Sequence, residues 1–300
     1  MVAREERGGG IHWCDPRKGV SVSTRLGILL GVYGCGVATV ALLGPLVFGV
    51  IEYRVVEAIE WQITGGDIAA VFLVAPAALG AGLLLVRGRR SGAVLALAPT
   101  ALGVYTYMQL ALGGEFGVQP GNSERFFLLF LTMFLLAGVG LLWSWSAVEA
   151  GALPQPAPGV RRTAITVLFV LAGFLTLGLH LPGLVDITGG EPYEAAYLDS
   201  PTVYWIVKLM DLGVVVPAAL AAGIGLLRRT RWATKVMYAV IGWGALLGSA
   251  VAGMAIVMQV NDDPTASLAN SLVFTGFALA FLLLAVVIYR PVFAADRSPG

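Results

Sequence analysis

Charge is what this chain has least of. Asp, Glu, Lys and Arg make up 12% of its 300 residues, about half the roughly 25% usual in soluble domains. Hydrophobic residues make up 58%, so a water-soluble globule is excluded. Cysteine is nearly absent: Cys14 lies in a polar N-terminal stretch and Cys35 in an apolar run. No disulfide framework, CxxC pair or zinc site can be built from these two, which argues against membrane thiol oxidoreductases working through paired cysteines. There are only two histidines, and no nucleotide, haem or metal motif accompanies them. Because no nucleophile, base and orienting group stand together, a non-enzymatic protein is expected, with neither a cofactor nor a nucleic-acid partner.

What is present is length of apolar sequence. Eight stretches, 26–50, 68–86, 91–112, 125–146, 163–184, 203–227, 233–258 and 268–290, fill most of the chain. Each approaches the ~20 residues that cross a bilayer as a helix. Backbone amides and carbonyls find no water in hydrocarbon, so helices or a closed barrel must satisfy them internally, and these lengths fit helices. The expected fold class is therefore all-α, a polytopic transmembrane bundle of about eight helices whose first partner is the lipid bilayer.

Alternate connections differ in charge. One side gathers 16 Lys and Arg against 5 Asp and Glu, a formal +11, and the other 3 against 13, a formal −10. The positive-inside rule places both termini in the cytoplasm of a bacterial cytoplasmic membrane, and an even helix count agrees with that. The acidic outer face could gather cationic ligands, or could simply keep its loops soluble. Residues 1–25 are polar and glycine-rich and are expected to form a disordered cytoplasmic tail. They do not read as a cleavable signal, because the polar lead is long and no small-x-small site follows.

The two halves of the chain are alike. PAALGAGLLLVRGRR at 76–90 aligns without gaps to PAALAAGIGLLRRTR at 217–231, with nine identities in fifteen positions. The Pro76/Pro217, Arg87/Arg228 and Arg90/Arg231 matches fix a kink and a boundary at the same spacing. The reading is two four-helix halves, 26–147 and 162–290, in the same orientation, joined by a proline-rich linker at 148–161 and followed by a tail at 291–300. Such parallel repeats occur in transporters with a site between the halves, although duplication also enlarges any bundle.

GGD ahead of a proline-containing helix ending in Arg, then YTYMQLALG and Asn122, and later HLPGLV and MDLGVVVPAAL before an Arg cluster, together cover most of 45–290. In these features the chain resembles a family of bacterial polytopic membrane proteins of about eight helices with no established activity. The resemblance implies the helix layout and marks Asp67, Tyr105, Tyr107 and Asp211; it implies no substrate or cofactor.

Depth follows from counting 1.5 Å per residue from the flanking arginines. Asp67, about 30 Å from Arg87, reaches the outer edge of the hydrocarbon and reads as an N-cap of the second span, after Gly65 and Gly66. Asp211 lies about 25 Å from Arg228, inside the membrane. It pairs either with Lys208 three residues earlier or with a ligand in an outward-facing cavity. His180, at about 27 Å from Arg162, has nearly the same depth and can meet Asp211. Tyr105 and Tyr107 fall at the height of an outer aromatic belt. Thr100 and Gln109 are expected to bond across helices, and Gly80, Gly82 and Gly223 to mark close helix contacts. Segment 52–64 patterns as a short interfacial helix. Asp211, His180, Tyr107 and Asp67 are the candidate ligand or ion contacts. The expected function is binding or passage of a small or lipid-like molecule; the alternative is an accessory subunit engaging a membrane-protein partner.

Overall fold

The computed structural model describes residues 22–190 and 195–296. Eight long apolar helices dominate them: α1 (Val22–Leu43), α2 (Glu57–Val86), α3 (Ser91–Leu112), α4 (Ser123–Ala147), α5 (Pro158–Thr188), α6 (Pro201–Leu227), α7 (Arg231–Val260) and α8 (Leu268–Ala295). At 22 to 31 residues each, they are longer than the ~30 Å hydrocarbon core requires. Among the described residues there is no strand. Large apolar side chains such as Leu128, Leu142 and Leu283 stand exposed on the helices, as a lipid-facing surface requires. This is a multi-pass membrane protein by helix length and composition.

Several boundaries differ from the sequence reading. Helix α1 already includes Val22 to Arg25, and most of the expected N-terminal tail, with Cys14, lies outside the described residues. Helix α8 runs through Pro291 to Ala295, into the expected C-terminal tail, and α5 begins inside the expected linker. The 52–64 segment does not form a separate interfacial helix, because Glu57–Val86 is one continuous helix. Asp67 is therefore not an N-cap: it sits in the eleventh position of α2.

Three helices widen locally into π-turns, at Ala70–Val74, Phe174–His180 and Asp211–Val215. Each precedes a proline: Pro76, Pro182 and Pro217. Proline has no N–H, and its ring collides with the carbonyl four residues earlier. Those carbonyls belong to Phe72, Gly178 and Gly213, each inside a widened turn, where the backbone moves aside without breaking the helix. Helices α2 and α6 also end alike. Gly88 and Arg229 adopt left-handed φ of 73° and 56°, and Arg89 N–H and Thr230 N–H donate to Leu84 O and Gly225 O at 2.9 Å. These closing bonds satisfy carbonyls that the helix end leaves open.

Helices α1 to α4 pack in a ring, α1 on α2, α2 on α3, α3 on α4 and α4 back on α1; α5 to α8 do the same. The two sets meet mainly where α7 packs on α2 and α3. Glycine permits the closest approaches. A Cβ on Gly82 would lie 2.6 Å from Gly27 O, and one on Gly65 would lie 2.4 Å from Met254 N, so α1 and α7 cross α2 backbone to backbone. Gly80, by contrast, faces open space.

On the side carrying the acidic loops, the 44–56 connection is laced to the 113–122 connection. Arg54 donates to both oxygens of Glu124 at 2.7 and 2.5 Å and to Gln119 O at 2.8 Å. Asn122 bridges Glu52 N and Val50 O. Glu115 in turn accepts from the Thr202 backbone N–H and hydroxyl at 2.8 and 3.1 Å, which ties α6 to the same cover.

Candidate functional site

The π-turns of α5 and α6 face one another, and their acid and base meet. Asp211, the first residue of its turn, places Oδ2 2.9 Å from Nε2 of His180, the last residue of the other. Tyr105 on α3 donates its hydroxyl to Asp211 Oδ1 at 3.0 Å. On the far side of the imidazole, Lys208 Nζ lies 3.5 Å from His180 Nδ1 and 3.8 Å above the Tyr204 ring. All four groups of this chain are buried, with Asp211, His180, Lys208 and Tyr105 exposed by 4, 3, 5 and 7%.

The chemistry fixes the direction of the chain. Where the lysine donates to Nδ1, the imidazole proton sits on Nε2 and is donated to Asp211. The imidazole thus stands between Lys208 and Asp211, with the second Asp211 oxygen held by the Tyr105 phenol. Hydrogen bonds to both carboxylate oxygens make burial of Asp211 tolerable. Lys208 and Asp211 form no direct ion pair; the imidazole stands between them because the widened turns bring α5 in.

Beside this chain lies a cavity of about 390 Å³ between the two four-helix sets. Asp67, Asp211 and Tyr107 all contribute to its wall, while His180 stands behind Asp211 and does not. Tyr105 and Tyr107 are therefore not belt residues: at 7 and 4% exposure they point into the bundle. Tyr105 meets Trp243 edge to face at 5.8 Å, and Tyr33, which also lines the cavity, donates to Pro99 O at 2.8 Å. Leu179 lines the cavity and is itself 40% exposed, so the space reaches the bundle surface at α5. Arg54 and Ser123 place its upper end under the laced acidic-side loops.

Asp67 differs from Asp211. It is 7% exposed, and Oδ2 has no hydrogen-bond partner. The missing Cβ of Gly44 would lie 2.9 Å from that oxygen and 3.6 Å from Tyr53 Cε2, so glycine makes room for the carboxylate beside the Tyr53 ring. Burial first, and the Asp67 charge second, push the Tyr53 phenol well above its ordinary range, which keeps it protonated. Tyr53 OH and Gln109 Nε2, both on the cavity residues, are likewise buried and unpartnered. Gln109 thus makes no cross-helix bond through its nitrogen, and Thr100 donates to Ala96 O of its own helix at 2.6 Å.

Sequence reasoning did not mark Tyr33, Tyr53 or Trp243. Tyr53 sits in a loop and the other two in unremarkable apolar runs, and only the folding of separate helices and that loop around one space identifies them. No family model, curated protein or solved structure matches the chain.

Proposed function

We propose that this protein binds a small or lipid-like molecule in the cavity between its two helix sets, and that it does so without catalysing a reaction. The observation that carries the reading is the cavity wall itself: mostly aliphatic and aromatic side chains, with polar groups such as Asp67, Asp211 and Tyr107 at a few places. Such sites hold ligands by apolar contact and orient them with sparse polar groups. The surface opening at Leu179 supports entry from the bilayer, and passage between leaflets is the dynamic extension of the same site.

The charge bias supports a bacterial cytoplasmic membrane with both termini in the cytoplasm, which makes the cavity outward-facing. The paired π-turns, prolines and helix ends of α2 and α6 support a same-orientation repeat about an axis along the membrane normal. The resemblance to bacterial eight-helix membrane proteins agrees with that layout.

Native mass spectrometry of gently solubilised protein tests the reading. A small molecule or lipid retained by the wild type and lost from Val207→Trp, which fills the cavity, is the expected result. A bare wild-type chain, or one carrying only another membrane protein, overturns it in favour of an accessory subunit.

A further inference from the structure

We infer that the ligand is an organic monocation, an ammonium on an apolar body, and that Asp67 is its counterion. The inference rests on the binding function proposed above and adds the ligand's chemical class. Its basis is the charge balance of the cavity wall. Among the described residues, three ionisable groups other than tyrosines line it: Arg54, Asp67 and Asp211. Arg54 is committed to Glu124 through two hydrogen bonds. Asp211 is committed to His180 and Tyr105, which take both of its oxygens. Asp67 alone faces the space with no hydrogen bond from the protein to Oδ2 and no ion pair among the described residues.

A buried carboxylate without a partner is costly, and a cation in the cavity removes the cost. The surroundings select which cation. A divalent ion asks for six or more oxygen ligands, and among the described residues no three His, Cys, Asp or Glu gather. An ammonium asks for one carboxylate, a few acceptors and aromatic faces, and Tyr53, Tyr107, Tyr33 and Trp243 supply rings around the same space. The apolar remainder of the wall then takes the hydrocarbon body. Gly44 belongs to this site because any side chain there would displace the Asp67 carboxylate.

The test uses two probes of one shape, 4-phenylbutylammonium and 4-phenylbutanol, titrated by calorimetry into the full chain in zwitterionic nanodiscs, with empty nanodiscs subtracted. The ammonium is expected to bind about tenfold or more tighter than the alcohol, as a charge-assisted hydrogen bond implies. Asp67→Asn should erase that preference. Equal binding of both probes to the wild type, or a preference that survives in Asp67→Asn, overturns the inference while the binding function stands. Failure of both probes to bind the wild type overturns the two together. The wild-type comparison decides even where the variant does not fold.

Discussion

Asp211 and His180 are each useful only because the other is present. Removing either one leaves a buried polar group facing hydrocarbon, which costs on the order of 1–3 kcal/mol. Removing both leaves no orphan within the pair itself, although Tyr105 and Lys208 each lose one contact. We therefore expect His180→Gln and Asp211→Asn each to lower stability, and the double variant to lose clearly less than their sum, by a coupling of roughly 0.5–3 kcal/mol. Thermal unfolding of the four proteins in one detergent measures this, and additive losses would refute the bridged pair. Tyr105→Phe removes one donor to Asp211 and should cost only about 1 kcal/mol. The pairing of Asp211 with His180 was within reach of the sequence, because counting from flanking arginines gives each residue's height in the membrane. Counting does not give rotation about the helix axis. Tyr105 and Tyr107 therefore read as belt residues of the right height, although they face inward.

At the scale of elements, adjacent glycines in α2 have opposite consequences. A methyl on Gly65 would meet the α7 backbone at 2.4 Å, whereas one on Gly66 would meet only the end of the flexible Met254 side chain at 3.2 Å. Gly65→Ala should lower stability by about 1–3 kcal/mol through overpacking, and Gly66→Ala should change it little. Equal melting temperatures for these two variants would rule out the backbone crossing of α2 on α7. The same glycines explain the misreading of Asp67. Gly-Gly-Asp resembles the start of a helix because glycine is a poor helix former, yet here glycine serves a crossing and the helix runs straight through. Helix ends were more legible where they rest on local chemistry. Gly88 closes α2 in a left-handed conformation, and Arg229 adopts the same conformation at the end of α6. A non-glycine residue pays roughly 1–2 kcal/mol there, so Arg229→Gly should stabilise the protein by about 1 kcal/mol, read as a higher melting temperature. A lower one would show that the arginine side chain contributes more than its backbone strain costs.

For the whole molecule, eight spans were legible because a bilayer admits few solutions for long apolar runs, whereas the cavity was not, since it exists only once separate helices are brought together. Pro76 and Pro217 stand at equivalent points of their helices, each six residues after the first residue of a π-turn. At that spacing Asp67 corresponds to Lys208 and Ala70 to Asp211. Under the proposed repeat an acid stands where its counterpart has a base, so one carboxylate is hydrogen-bonded within α3, α5 and α6 and the other has an oxygen open to the cavity. Whether that open carboxylate meets extracellular solutes depends on which side the acidic loops occupy, and a labelling experiment decides it. Val118 in the 113–122 connection is 79% exposed, and Ala152 in the 148–157 connection is also exposed. In a background with Cys14→Ser and Cys35→Ser, a membrane-impermeant maleimide added to intact cells should label Val118→Cys at once, and Ala152→Cys only after the membrane is opened. The reverse pattern would put the cavity on the cytoplasmic side, where its ligand would have to come from inside the cell.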